Sequence, residues 1–358
     1  MDFLVKNALN NLDEKEDIDN YEVGQARMSV IGCGGGGQNI VDWIYTKGIH
    51  GAQIVAVNTD LQDLKLKQAD KKILVGKEVT KGLGAGGDPS MGAAAANESI
   101  SELKDTLKGS DMVFVCAGMG GGTGTGISPV VAKTAKDSGA IVIGVVTMPF
   151  SIERARIDKA EYGLRQLRQY CDTVIVIDNN RLVKIAGNLP VKQAFAVANE
   201  LVSVMIKGIV EIISVPSLVN LDFADVKSIM TSGGVATVGV GMSDTNRRVE
   251  ESVDEALKNP LLDIDYNGAK GALINVIGGN DMTLEEVNRA GELITQSLDS
   301  EANVIWGARV DDSFQKRMQI MTIMTGVSSP QILGAKNKEE EKVETEKVSE
   351  DLGIKTIY

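Results

Sequence analysis

Histidine and cysteine are scarce in this sequence. His50 is the only histidine among 358 residues. A catalytic or metal-binding role would need partners that its glycine-flanked neighbourhood lacks, so we expect a surface loop there. The cysteines are Cys33, Cys116 and Cys171. They are odd in number and far apart, which indicates free thiols in a reducing cytosol rather than a disulfide framework.

Long apolar runs, a signal-peptide pattern and basic clusters are also missing. No stretch reaches the ~18 apolar residues of a membrane span, so we expect no direct membrane insertion and a cytoplasmic protein. Basic residues number 37 against 49 acidic ones, and the net charge of −12 argues against a nucleic-acid partner. The motif G-x-x-x-x-G-K-[ST] is absent, which excludes a P-loop protein.

Glycine, in contrast, is abundant, and its densest run lies between an apolar strand and a helical pattern. Residues 117–126 contain six glycines together with Thr123 and Thr125. Without Cβ atoms, the backbone N–H groups of such a loop can close around an anion, and a helix N-terminus adds a positive dipole end. A tight strand-to-helix turn also uses glycine, but this run is denser than a turn requires. The pattern therefore predicts phosphate binding.

Two further glycine-rich segments have similar settings. Residues 32–39 follow an apolar strand, and residues 82–89 precede an alanine-rich helix. Taken alone, the first segment suggests a dinucleotide-binding Rossmann unit, in which Asp60 after the next strand would hold a ribose hydroxyl. A helix N-cap is the other interpretation of Asp60.

Apolar strands alternate with helical patterns along the first half of the chain, for example at 140–147 and 173–177. This predicts an α/β fold with a doubly wound, mainly parallel sheet that binds its ligand at the carboxyl ends of the strands. Helices are predicted over 40–47, 91–108 and 153–170. We expect an N-terminal extension over 1–27, a phosphate-binding domain over 28–189, a central helix with its connection over 190–219, a smaller α/β domain over 220–330 and a disordered tail with a terminal docking peptide over 331–358.

The predicted central helix carries one polar stripe on an otherwise apolar surface. Asn199, Ser203, Lys207 and Glu211 recur every four residues, and Phe195 lies one turn before Asn199. An aromatic ring beside an amide can stack on a base and form hydrogen bonds with it. Core packing with a polar stripe at a domain boundary is the alternative.

The sequence contains few carboxylates at positions suited to a catalytic general base. Nothing near the glycine loops is an obvious general base, and Asp222 and Asp225 form the only carboxylate pair with catalytic spacing. Taken alone, Asp222 is most simply a helix N-cap and Asp225 a first-turn acid. Glycine loops without a lysine imply phosphate neutralisation by backbone dipoles and by Mg²⁺.

Two segments together resemble one known family. Gly120–Gly126 is similar to the signature loop of the tubulin/FtsZ family, and Asn220–Val226 to the catalytic loop of FtsZ, archaeal FtsZ in particular. The resemblance spans about residues 28–328. It implies a GTPase that converts GTP to GDP and phosphate, and that polymerises head to tail into filaments of the division ring at mid-cell.

The resemblance also implies the nucleotide contacts. The residues expected to bind GTP or GDP are Gly34, Gly35, Gly36, Gly37, Asn39, Asn58, Asp60, Gly84, Ala85, Gly86, Gly121, Gly122, Thr123, Gly124, Thr125, Glu153, Arg156, Asn179, Phe195 and Asn199. The spacing from acid to arginine is one residue shorter than in the family, so Arg156 is the candidate and Arg154 the alternative. Gln38 replaces a glycine common in the first loop.

In the family, residues equivalent to Asn220, Asp222 and Asp225 act on the nucleotide of the next subunit. The resemblance thus implies a self-assembling partner. For Leu352–Tyr358, an apolar end on a charged tail indicates docking of a membrane-anchoring division adaptor, with fraying as the alternative. Two other functions stay open at this point: an NAD oxidoreductase, based on the first glycine loop and Asp60, and a polymer that does not hydrolyse nucleotide.

Overall fold

The computed structural model describes residues 26–215, 217–219, 221–232, 236–258, 269–296, 298–326 and 333–334. Most of the predicted N-terminal extension, Asn220 and the segment 352–358 lie outside the described residues. The described chain forms two α/β units joined by one long helix.

The first unit is a sheet of six parallel strands in the order β3-β2-β1-β4-β5-β6, as predicted. Its strands are β1 Met28–Cys33, β2 Ala52–Asn58, β3 Lys71–Leu74, β4 Met112–Gly118, β5 Ile141–Met148 and β6 Thr173–Asp178. The strands are apolar because both faces are covered. In β4, Phe114 packs on one face and Val113 and Val115 on the other, all with no exposure.

In the described part of the chain, seven helices surround this sheet, in addition to the long helix α8 (Val191–Ser214). They are α1 Gly34–Lys47, α2 Leu61–Leu66, α3 Pro89–Glu98, α4 Ile100–Leu107, α5 Thr123–Asp137, α6 Ala155–Arg168 and α7 Asn179–Ala186. Helices α3 to α6 pack on one face, and α1 and α7 on the other. The order of β1 and β4, with helices on opposite faces, opens a crevice where these two strands end.

Three helix boundaries differ from the sequence-based prediction. Helix α1 begins at Gly34 rather than at residue 40, so the first glycine loop is the first turn of a helix. The helix predicted over 91–108 breaks at Ser99, whose hydroxyl accepts a hydrogen bond from Gly76 N at 3.4 Å. The helix predicted from residue 153 begins at Ala155, after the 3₁₀ turn Ser151–Glu153.

The long helix α8, Val191–Ser214, runs the height of the sheet. Its 24 residues span about 36 Å. At its start, Phe195 meets Phe150, which follows the end of β5, with ring centroids 6.0 Å apart. At its end, the Ser214 hydroxyl donates to His50 O at 3.0 Å, just before β2 begins. The two ends of α8 therefore lie at opposite edges of the sheet.

The second unit is a mixed four-stranded sheet in the order β7-β10-β8-β9. Its elements are α9 Phe223–Ser232, β7 Ala236–Ser243, α10 Arg248–Leu257, β8 Ala269–Gly278, α11 Leu284–Thr295, β9 Leu298–Val310, the 3₁₀ turn Asp312–Phe314 and β10 Met318–Thr325. Gly208 of α8 allows close approach to this unit, because a Cβ there would lie 1.9 Å from Met321 Cε.

Two residues of the predicted tail belong to the first sheet. Leu333–Gly334 forms β11, an antiparallel edge strand in which Leu333 faces Val174 and Gly334 faces Thr173. The rest of the tail lies outside the described residues.

The scarce cysteines are buried, and the single histidine lies at the surface. All three cysteines are free and buried, and burial raises the pKa of Cys33, Cys116 and Cys171. His50 is exposed in a bend, as predicted. Among the described helices, none combines the length and apolarity that a bilayer span requires.

Arg248 holds two helices of the second unit together. Its guanidinium donates to both carboxylate oxygens of Glu286, at 2.7 and 2.8 Å, and to Asp281 Oδ2 at 2.6 Å. Glu286 also closes a capping box with Thr283 at the start of α11. The hydrogen bonds from Arg248 hold the pKa of Glu286 below its usual range.

We expect Arg248→Met to lower the free energy of unfolding by about 2 kcal/mol at pH 7. Because the native pKa of Glu286 is depressed, the stabilisation is present above the ordinary carboxyl pKa and is lost as pH falls through the lowered value. The difference from the native chain in urea unfolding should therefore be smaller at a pH below the ordinary carboxyl range than at pH 7. Arg289→Met, at an exposed ion pair, is the control. An equal difference at both pH values would contradict this origin.

Candidate functional site

The three glycine segments meet at the carboxyl ends of β1 and β4. A Cβ atom on Gly34 would lie 2.6 Å from Gly124 N, and one on Gly36 would lie 2.8 Å from Gly118 Cα. A Cβ on Gly122 would lie 2.6 Å from Asp88 N in the third segment. These loops pack backbone against backbone, at a distance that only glycine permits.

Other glycines of these loops face open space instead. A Cβ atom on Gly121, Gly84 or Gly86 would meet no protein atom within 4 Å. Gly84 and Gly86 also have positive φ angles, 87° and 58°, and Ala85 between them is buried. At these three positions there is free space beside the main chain of the loops.

Two helix N-termini point into this region without side-chain caps. Within the described residues, neither α1 nor α5 has a capping hydrogen bond or an acidic residue in its first turn. The first N–H groups of a helix have no partner inside the helix, and the dipole makes this end positive. Gly35, Gly36 and Asn39 are exposed at the start of α1. The arrangement fits a phosphate chain held by backbone N–H groups.

Some predicted ligands support the loops from beneath. The Thr125 hydroxyl accepts from Gly120 N at 2.9 Å, and the Thr59 and Thr123 hydroxyls share a hydrogen bond of 2.7 Å. Asn58, only 2% exposed, donates to Gln38 Oε1 at 2.6 Å. The sequence marked Gln38 only as a replacement for a glycine, and it did not mark Thr59, because nothing in the pattern indicates a buried amide or hydroxyl beneath a loop.

Asp60 serves as a helix cap. Its Oδ1 accepts from Gln62 N at 2.8 Å and from Asp63 N at 3.1 Å at the start of α2. The N-cap interpretation of Asp60 is therefore confirmed, which weakens the argument for a ribose-binding Rossmann acid.

The acid–arginine segment lies against the densest glycine loop. Glu153 accepts from Phe150 N at 3.0 Å and pairs with Arg156 at 2.8 Å. The backbone of Arg156 packs against Gly120, because a Cβ atom on Gly120 would lie 2.8 Å from Arg156 O. Arg154 is exposed, with a φ of 32°. The structure therefore places the main chain of Arg156 against the loop, and the choice between the two arginine side chains as nucleotide contacts stays a prediction.

An aromatic and amide cluster borders the same edge. Phe195 is 42% exposed, and Asn199 follows it one turn later on α8. Asn179 begins α7 directly after β6. Its neighbour Asn180, which the sequence did not single out, accepts from Ser151 N and Oγ at 2.9 Å and ties the 3₁₀ turn to the start of α7.

The polar stripe on α8 divides into two parts. Phe195 and Asn199 lie at the crevice end. Lower down, Lys207 pairs with Glu211 at 3.6 Å, and Glu211 pairs with Arg309 of β9 at 3.3 Å. The ion pairs of Lys207 and Glu211 agree with a polar stripe at the boundary between the two units. The base-binding interpretation of Phe195 and Asn199 stays a prediction.

Asp222 and Asp225 lie beyond the far end of α8. Asp225 N donates to Asp222 Oδ1 at 2.8 Å, and Asp222 N donates to Asp225 Oδ2 at 3.1 Å. This reciprocal pair begins α9 and occupies one oxygen of each carboxylate. The segment before it is fixed by a bridge between Val219 and Ala308. The described residues therefore do not bring this pair to the glycine loops of the same chain.

Comparison with known proteins identifies the family. Residues 27–187 match the model of the Tubulin/FtsZ family, GTPase domain, and residues 234–328 match the FtsZ family, C-terminal domain. The chain is 54% identical to Cell division protein FtsZ 2 of Methanocaldococcus jannaschii over 338 residues, which is 94% of this chain and 89% of that protein. The chain belongs to the tubulin/FtsZ family.

Other FtsZ proteins are similar over nearly the same span. Cell division protein FtsZ 2 of Halobacterium salinarum is 49% identical, with 93% of this chain and 86% of that protein covered. The solved structure titled FtsZ dimer, empty, from M. jannaschii has a TM-score of 0.79 and 45% identity, and the match covers 90% of this chain and 92% of that one.

The FtsZ assignment decides between the functions left open. The edge of the first sheet where the three glycine segments 32–39, 82–89 and 117–126 meet is called the glycine edge. It lies within the segment that matches a GTPase domain, so the chain is a GTPase and the oxidoreductase interpretation is wrong. Asp222 and Asp225 lie between the GTPase domain and the FtsZ C-terminal domain.

Proposed function

We propose that this filament-forming GTPase of cell division completes its active site only where two subunits meet. The glycine edge of one subunit would face Asp222 and Asp225 of the next. The observation that carries the proposal is the separation of these two groups across α8, about 36 Å long. A contact between two different surfaces repeats into an open filament.

Each half of the proposed site has its own chemical task. The N–H groups at the starts of α1 and α5 would stabilise the phosphate charge. The carboxylate oxygens of Asp222 and Asp225 outside the reciprocal cap would orient and polarise the attacking water.

A magnesium ion here would be held mainly by the phosphates, with few ligands from the protein. Mg²⁺ usually keeps several waters and takes one or two carboxylates beside the phosphates. No cluster of three or more His, Cys, Asp or Glu side chains suited to a metal exists in the described part of the chain. One carboxylate lies beside the first loop: Asp63 Oδ2 is 3.4 Å from the position that a Cβ atom of Gly35 would occupy. The ion would supply phosphate neutralisation.

The dependence of the GTPase rate on protein concentration tests the shared site. Turnover per subunit should rise with concentration and vanish below the assembly threshold, because an isolated subunit has only half of the site. A constant rate per subunit down to fully monomeric protein would overturn the proposal.

Phe195 and Asn199 support a preference for guanine over adenine. An amide beside an aromatic ring at the crevice can read a base edge while the ring stacks on its face. A site that forms hydrogen bonds with one base discriminates against another, because its polar atoms are then left unpaired.

We expect Asn199→Ala to weaken GTP binding by about 10- to 100-fold, the range of one or two lost hydrogen bonds. ATP binding should change little. Competition titrations of both nucleotides on the native chain and the variant measure this. Asn288→Ala, on the exposed face of α11, is the control. Equal affinity of the native chain for GTP and ATP would contradict the base assignment.

Residues 352–358 are proposed to dock a membrane-anchoring adaptor at the division site. The support is their apolar composition after a charged segment. A flexible linker of about 20 residues has a reach of roughly 25 Å.

Deleting residues 352–358 should leave assembly and GTPase activity intact, since no described residue is removed, and should abolish recruitment to the membrane. Sedimentation, phosphate release and imaging of the tagged protein in cells measure these three properties. Loss of assembly would show that the segment belongs to the folded unit.

A further inference from the structure

A groove with a volume of about 450 Å³ lies among α3, α4, α5 and α6, on the face of the sheet opposite α8. Its apolar surface comes from Ile100, Pro129, Val130 and two tyrosines, Tyr162 and Tyr170. Tyr162 is 53% exposed. The groove thus presents aromatic and aliphatic surface that no described element covers.

Two lysines give the groove a basic rim. Lys104 and Lys133 are exposed at its border, and the Lys133 ammonium lies 5.8 Å from the centre of the Tyr170 ring. Asp137 is the acidic side chain on the same lining. The chemistry fits an apolar peptide preceded by acidic residues.

Strand β11 brings the chain to one end of this groove. Gly334 pairs with Thr173 in antiparallel register, so β11 points in the direction of Asp172, Cys171 and Tyr170 where it ends. Tyr170 lines the groove. Strand β11 therefore ends pointing towards the end of the groove that Tyr170 lines.

We propose that Leu352–Tyr358 docks in this groove of its own subunit. Leu352, Ile354 and Ile357 match the apolar surface, and Glu350 and Asp351 before them match the lysine rim. Seven residues extend to about 25 Å, against about 18 Å for α5 along the groove. The 17 residues between β11 and Leu352 have a typical reach of about 23 Å, which is longer than the groove-lining part of α5. The connection is therefore long enough for Leu352 to enter the groove at either end.

Docking in the groove makes the segment unavailable to an adaptor. The chain would then exist in a closed form, with the segment on its own subunit, and an open form that can bind a partner. A ligand shifts this balance only by its difference in affinity for the two forms. The proposal goes beyond the shared GTPase site and stands whether or not hydrolysis needs two subunits.

Hydrogen exchange without nucleotide, below the assembly concentration, tests the docking. The native chain should exchange more slowly than a chain lacking residues 350–358 in the backbone of α3 to α6, and a synthetic peptide of residues 350–358 should restore protection. Equal exchange in both chains would overturn the proposal. Protection that appears only as protein concentration rises would overturn it too, since the segment would then dock on a second copy.

Variants of the groove locate the binding. Tyr162→Ala and Lys133→Glu should each weaken binding of the labelled peptide to the shortened chain by about tenfold or more. Glu161→Ala, exposed on the same helix outside the groove lining, is the matched control. Unchanged affinity in both groove variants would place the peptide elsewhere. Lys133→Glu alters only an exposed side chain, so it can still test the groove if Tyr162→Ala fails to fold. Both variants should bind GTP normally, which shows that their effect on peptide binding does not come from the GTPase site.

Discussion

Replacing Gly121 with valine is expected to lower GTP affinity by roughly 10- to 100-fold while the fold stays intact. A Cβ at this position meets no protein atom within 4 Å, and its φ is not positive, so the backbone accepts a side chain without strain. The space is instead the proposed place of the phosphate chain. A side chain there would hold the phosphates away from the helix N-termini.

Two other glycine variants separate ligand contact from folding. Gly124→Ala should destabilise the protein itself, because its Cβ would lie 2.7 Å from Gly118 O and 3.1 Å from Cys33 O. Gly291→Ala in α11 also enters open space, far from the loops, and should leave GTP binding unchanged. Nucleotide titration and thermal unfolding of all three variants measure the two effects. If Gly121→Val bound GTP normally, the phosphates would have to lie elsewhere.

The overall architecture was predictable from the sequence because burial on both faces leaves a strong pattern. The strand of β4 is apolar from Met112 to Val115, and such strands alternate with helices in the order that a doubly wound sheet requires. Glycine density likewise predicted which loops converge. These signals are local, so a single sequence suffices to read them.

Boundaries and supporting contacts were less predictable because they depend on tertiary contacts. Gly34 starts α1 early since the backbone of Gly124 packs against it, and that neighbour is distant in sequence. The break at Ser99 depends on a hydrogen bond from Gly76. Gln38 and Asn58 meet beneath the first loop only once β1 and β2 are paired. None of these contacts has a periodic signature.

The acidic pair after α8 shows why residue type alone did not decide a role. The hydrogen bonds of Asp222 and Asp225 are those of a helix start, as the simpler interpretation holds. Each carboxylate still has one oxygen outside the cap. A capping role and a catalytic role are therefore compatible. An experiment that separates them has to remove the negative charge and keep a side chain that can still cap the helix.

We expect Asp225→Asn to bind GTP and assemble but to hydrolyse GTP about 100-fold more slowly or worse. The amide keeps an oxygen that can accept from Asp222 N, while the carboxylate charge that polarises water is lost. Phosphate release at a concentration well above the assembly threshold measures the rate. Thr283→Ala, which removes the cap of α11 in the same unit, controls for a loss of stability of about 1 kcal/mol.

Mixing Asp225→Asn with Gly121→Val tests whether the two halves come from different subunits. Asp225→Asn keeps its glycine edge, and Gly121→Val keeps its acidic pair. A complete site therefore forms wherever the glycine edge of an Asp225→Asn subunit meets the acidic pair of a Gly121→Val subunit. The GTP concentration is set to fill the native nucleotide site but not that of Gly121→Val, so that both variants alone are nearly inactive. Random pairing in a filament then makes about one interface in four complete, and activity should return to that order. A site contained within one chain would give no recovery, because every subunit in the mixture carries a defect. Full activity of Asp225→Asn alone would instead return Asp222 and Asp225 to the role of helix caps.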